Sequence, residues 1–167
     1  MNKMKPEITL VLHNIRSIYN VGSILRSAEG FGVTSIVCSG YTPYPIIAGD
    51  TRLPHIRDKI TTSIHKTALG AEKMLQISHF ETLDEWFTQN SLPVVALEQT
   101  SGSVTPRQFV APTAFALLLG EEVHGIEPQY LERCEAAIEI PMRGKKESFN
   151  VSVATGVALY AILFGDD

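Results

Sequence analysis

The stretch ITLVLHNIRSIYNVGSILRSAEGFGVTSIVCSG, residues 8–40, reads as strand, helix and strand in succession. Residues 8–12 are a short apolar, partly β-branched run. Val21, Ile24, Leu25 and Ala28 then recur at helical spacing, and Gly30 and Gly32 end that helix within 21–32. Residues 34–40 form a second apolar run. Two strands joined by a helical crossover point to a parallel pair. Outward from this unit the alternation continues. Strands are expected at 74–80, 92–100, 113–120 and 136–142. Thr82 to Glu85 has capping-box spacing and opens a helix reaching Asn90, and Pro128 suits the first turn of a helix over 127–134. Residues 41–59, with three prolines and several cations, read as a long surface loop. Residues 148–164 form a closing helix, although Val151, Val153, Thr155, Gly156 and Val157 are mediocre helix formers. The pattern is α/β, with a largely parallel sheet flanked by helices, in a single domain spanning 1–167.

Bulk properties narrow the function. A chain of 167 residues supports one well-packed core. No run of about 18 apolar residues exists, so no membrane association is expected. The opening residues read as a first strand and not as a secretory signal. Cys38 and Cys134 lie far apart without CxxC spacing, which suits a reducing, cytoplasmic setting. Net charge is −4, but it is unevenly spread. Residues 1–75 carry nine Lys/Arg against five Asp/Glu, a net of +4, and residues 76–167 carry five against thirteen, a net of −8. One basic face for an anionic partner and plain solubility charge both fit that asymmetry.

Ligands of open α/β sheets sit beyond the carboxyl ends of the strands. Three such ends carry unusual residues: 13–30, 120–125 (GEEVHG) and 141–150 (PMRGKKESFN). Neither GxGxxG nor GxxxxGK[ST] occurs, and the glycine turn at 120–125 carries Glu121 and Glu122, which repel phosphate. A phosphate-free, cationic ligand fits better than NAD or ATP. The histidines 13, 55, 65, 79 and 124 lack metal-ligand spacing, so no metal is expected. No GxSxG nucleophile elbow is present. Ser148 and Asn150 stand at the mouth of the closing helix, where capping and a ligand role are both chemically reasonable.

Taken together, these segments resemble the SpoU, or TrmH-like, branch of the SPOUT RNA methyltransferases. Asn-x-Gly-x-x-x-Arg is present as Asn20, Gly22 and Arg26; Gly-x-Glu-x-x-Gly as Gly120, Glu122 and Gly125. Ile140-Pro141-Met142 followed by Ser148 and Asn150 makes the third motif. Glu121 and Phe149 depart from the usual residues, a neutral one and a leucine. The resemblance implies a SPOUT-type sheet with a C-terminal trefoil knot, in which the small residues of the last helix let it pass close under neighbouring backbone and leave it buried nearly all round. It implies S-adenosylmethionine as methyl donor, held by Leu97, Gly120, Ile140, Met142 and Ser148. It implies a ribose 2′-hydroxyl of RNA as acceptor, with tRNA favoured over rRNA, and a homodimer. Arg26, Asn20, Glu122, Ser148 and Asn150 are then the catalytic candidates. Arg26 would do electrostatic work, because a guanidinium stays protonated; Glu122 would either fix Arg26 or take the proton. Many relatives carry an N-terminal RNA-binding extension, for which this sequence leaves no room. A non-catalytic RNA-binding or assembly module, and a base-methylating relative, are the rival readings.

Overall fold

The computed structural model describes residues 5–165. Six strands, β1 (Glu7–His13), β2 (Ser35–Ser39), β3 (Gln76–Phe80), β4 (Val94–Leu97), β5 (Ala114–Leu119) and β6 (Ala136–Ile138), form one sheet in the order β3-β2-β1-β5-β4-β6. Every pairing is parallel. The central pair is long: Leu10 lies opposite Leu117 and Leu12 opposite Leu119. Alternation along β1 sends Leu10 and Leu12 to one face and Val11 to the other, so both faces are apolar and both must be covered.

Helices α1 (Ile18–Gly30), α2 (Pro54–Ala68) and α5 (Val151–Phe164) supply Ile24, Leu25, Ile64 and Leu159 to the first face, against Leu10, Phe115 and Leu117. Helices α3 (Leu83–Gln89) and α4 (Pro128–Leu131) supply Leu83, Trp86 and Tyr130 to the second, against Val11, Ala116 and Leu118. Each fully buried Leu or Phe in these layers contributes roughly 1.5–3 kcal/mol.

Local signals set the helix ends. Ser17 caps α1, its hydroxyl accepting the Asn20 N–H at 3.2 Å. Thr82 and Glu85 close a reciprocal capping box at α3. Gly22 lies at the crossing of α1 with α2. A Cβ there would collide with Thr67 Oγ1 and sit 2.5 Å from the Ile64 carbonyl, so the glycine lets the two helices approach.

Two expectations need correction. The segment 41–59 is a loop only as far as Leu53, where α2 begins with Pro54 in its first turn. Within the loop Arg52, one of its cations, is a clamp. It bonds Asp50, at 2.9 Å from Nε to Oδ1, and the carbonyls of Tyr44 and Pro45, and it stacks on the Tyr44 ring. This pairing draws the Asp50 carboxyl down to about 2. The closing helix, in turn, starts at Val151 and is not buried all round. Thr155, Ala158 and Leu159 are buried, whereas Val153, Val157 and Tyr160 are 50%, 41% and 61% exposed, because α5 packs on α1 along one side only.

Candidate active site

A cleft of about 500 Å³ opens where β4, β5 and β6 end. Leu97, Gly120, Ile140 and Ser148 stand in its walls, together with Glu122 and Asn150. Met142 is half-buried and lies outside those walls, and so does Arg26, exposed on α1. Asn20 is also outside the lining, yet it is bonded to two residues that form it.

The turn after β5 is tight. Glu121 and Gly125 pair through two backbone hydrogen bonds, of 3.1 and 2.8 Å, and Gly125 has φ +71°. A Cβ on Gly120 would lie 2.5 Å from the Gly125 carbonyl carbon, and one on Gly125 would strike the Glu98 carboxylate. That carboxylate accepts the N–H groups of Gln99 (2.9 Å) and Ile126 (3.1 Å), tying the end of β4 to the turn. Both glycines therefore make room for close backbone approach beside the cleft.

Glu122 joins the turn to the start of α1. Its Oε2 accepts the Arg16 N–H at 3.0 Å; Oε1 accepts the Ser17 N–H at 3.0 Å and the Asn20 amide at 3.2 Å. Asn20 Oδ1 in turn accepts from the Asn150 amide at 3.1 Å. Asn150 Oδ1 caps α5 by accepting the Ser152 N–H at 2.9 Å. Each amide has its orientation fixed by its neighbour, because a carboxylate only accepts and a cap oxygen must accept. The start of α1 thus meets two segments, 102 and 130 residues further along the chain, through one chain of hydrogen bonds.

Charge follows from these contacts. Burial alone would raise the Glu122 carboxyl, but the N–H donors of Arg16 and Ser17 outweigh it and hold the group below its ordinary value. Glu121 is lowered in the same way: burial opposes, and the N–H groups of His124 and Val123 prevail. Tyr41 stands beside this node, its phenol pushed up by burial and by the charges of Glu121 and Glu122. Glu122, ionised and with both oxygens engaged, holds residues 16–20 in place; among the described residues no hydrogen bond or ion pair joins it to Arg26. Val123, His124 and Phe149 also line the cleft. For His124 the only sequence signal was its place inside the glycine turn. Among the described residues no group of three or more His, Cys, Asp or Glu is placed to hold a metal ion.

The parallel six-stranded sheet flanked by helices matches solved structures of SPOUT methyltransferases. The SpoU methyltransferase AviRb from Streptomyces viridochromogenes, in complex with the cofactor AdoMet, superposes with a TM-score of 0.77 at 20% identity, covering 97% of this chain and 58% of that one. The A. aeolicus TrmH/SpoU tRNA modifying enzyme gives 0.73 at 22% identity, covering 96% and 76%. The SpoU rRNA Methylase family model matches residues 7–160, and the chain belongs to that family. Among curated relatives, the 23S rRNA (guanosine-2'-O-)-methyltransferase RlmB of Coxiella burnetii is 28% identical over 160 residues, 94% of this chain and 58% of that protein. The tRNA (guanosine(18)-2'-O)-methyltransferase of Aquifex aeolicus is 26% identical over 96% of this chain and 70% of its own length. An uncharacterized tRNA/rRNA methyltransferase of a Mycobacterium species is matched over only 46% of its length, so the chain spans about half of some relatives.

Proposed function

We propose that this protein transfers a methyl group from S-adenosylmethionine to a ribose 2′-hydroxyl of RNA. The observation that carries the reading is the hydrogen-bonded chain Glu122–Asn20–Asn150, which joins the three family motifs at the edge of the cleft. The cleft takes the donor. Its backbone at Leu97, Gly120 and Ile140 offers hydrogen-bonding groups to the adenosine and methionine parts, with Ser148 alongside. Its carboxylates favour a sulfonium cation and disfavour phosphate. Asn20 and Asn150 orient the acceptor ribose. Arg26, outside the donor walls and exposed, is free to meet an RNA phosphate and to stabilise charge developing on the 2′-oxygen. Glu122 is a positioning residue, and the proton falls to another group. Met142, half-buried two residues beyond Ile140, lies outside the lining of the cleft.

The names of the relatives, which include rRNA and tRNA enzymes, support RNA as substrate, and tRNA is the first to test. We read the protein as a cytoplasmic homodimer whose closing segment is threaded as a knot. The apolar edge of α5 supports the dimer, and among the described residues no helix is long and apolar enough to cross a membrane. The test is incubation with methyl-labelled S-adenosylmethionine and total RNA from cells lacking the gene, followed by nucleoside analysis. The expected product is a 2′-O-methyl nucleoside. Label on a base, or no label in RNA while the donor binds, overturns the reading in favour of a base methyltransferase or a binding module.

A further inference from the structure

We propose that Glu121 and His124 form a carboxylate–imidazole dyad in which His124 Nε2 removes the proton of the attacking 2′-hydroxyl. This deepens the functional reading above and rests on it. His124 Nδ1 lies 2.9 Å from Glu121 Oε2, and both residues line the donor cleft. The acid is 11% exposed and the imidazole 87%, so the pair has an anchored end and a free end. Glu121 is fixed by accepting the N–H groups of Val123 (3.0 Å) and His124 (2.6 Å) and by its backbone pairing with Gly125. An ionised carboxylate can only accept, so Nδ1 carries the hydrogen and Nε2 keeps its lone pair facing outward.

The alternatives are spoken for. Glu122 and Glu98 each have both oxygens on N–H donors. A guanidinium cannot accept a proton, and the Tyr41 phenol is held protonated. Glu139 and Glu147 complete the charged lining, and a carboxylate is a weaker base than an imidazole. In the step, the 2′-oxygen forms a bond to the methyl carbon as the C–S bond breaks. Its electron pair stays on sulfur, which becomes a neutral thioether, and the hydroxyl proton passes to Nε2. One positive charge is thereby exchanged between sulfonium and imidazolium inside a cleft whose charged lining is otherwise carboxylates. The lining that favours the donor also favours the product state of the base.

The test is single-turnover methylation of the RNA that accepts label, with saturating S-adenosylmethionine, across pH, together with calorimetric donor binding. Wild type is expected to speed up with pH and then level off. His124→Ala should retain measurable donor binding, lose about 100-fold or more in rate, lose the pH-dependent rise, and regain rate with added imidazole. Glu121→Gln keeps an acceptor for the turn but not the charge that steadies the imidazolium, so it should slow the step. A flat wild-type profile, or His124→Ala that keeps the wild-type rate or pH dependence, overturns the dyad. So does a rate loss in His124→Ala that imidazole does not restore. Absence of any 2′-O-methyl product from wild type overturns the functional reading instead.

Discussion

Arg26 and Glu122 stand one motif apart in the sequence logic but do different physical work. Arg26 makes no part of the donor walls, so Arg26→Ala should leave donor affinity intact and lower single-turnover methylation by roughly 100-fold. Arg26→Lys should restore little, because a point charge does not reproduce a planar fork. Near-normal turnover in the alanine variant would make Arg26 a plain surface residue. Glu122 is held below its ordinary value of 4.5 in the folded protein. A depressed carboxylate contributes stability that is complete above the unfolded value and is lost as pH falls through the folded one. Wild type should therefore lose urea resistance progressively below about pH 4.5, and Glu122→Gln should be weaker at pH 7 with a shallower loss in that window. Equal slopes for the two would mean that the N–H contacts of Arg16 and Ser17 carry no linkage. Asn20, Glu122 and Asn150 are legible as candidates because they fall on the three motifs that carry the family resemblance. What the sequence could not supply was their connectivity: the contacts span 102 and 130 residues, and only the fold brings them together. His124 lacks metal-ligand spacing, and its pairing with Glu121 becomes visible only in the folded turn.

At the scale of elements, α5 shows how one residue serves two structures. Asn150 Oδ1 caps the helix while its amide donates to Asn20. Asn150→Asp separates the two roles. The carboxylate still caps, and the added charge suits a helix N-terminus, so stability should change by less than about 0.5 kcal/mol. The donation to Asn20 Oδ1 is lost and two oxygens face each other, so methyl transfer should fall by about tenfold or more, the scale of 1.4 kcal/mol. Denaturation midpoints and single-turnover rates measured together decide it; a fall in both by the same free energy would mean that only the cap matters. The elements that announced themselves were those with dense burial, such as β5, where Phe115 to Leu119 are at most 1% exposed. The first turns of α2, residues 54–59, are hidden in the sequence for the opposite reason. The helix buries only Ile64 and Ala68 fully, both near its far end, and its N-terminal half follows a proline-rich loop with charged side chains turned to solvent. β6 was over-extended because Glu139 and Ile140, apolar-flanked in sequence, leave the ladder to form a wall of the cleft.

For the whole molecule, the unfinished surface is the outer edge of α5. Val153, Val157 and Tyr160 follow i, i+4, i+7 spacing and form one exposed apolar stripe, while Val151 and Ala154 face the cleft. A helix that is apolar on both sides needs a partner on each. α1 and the sheet satisfy the inner side, through Phe31 against Phe164 and through buried Leu159. The outer side is satisfied if two copies meet there, which would also set two basic halves on one assembly. The wild-type protein should therefore scatter light as a species twice the 18.3 kDa chain mass at micromolar concentration. Val157→Asp puts a charge in the middle of the stripe, where an unpaired buried carboxylate costs several kcal/mol, enough to dissociate a micromolar dimer. That variant should run as a monomer yet still bind S-adenosylmethionine, because residue 157 lies outside the cleft walls. If donor binding survives but methylation disappears, the acceptor site spans both copies. A wild-type monomer at that concentration would refute the dimer and leave the stripe without an occupant.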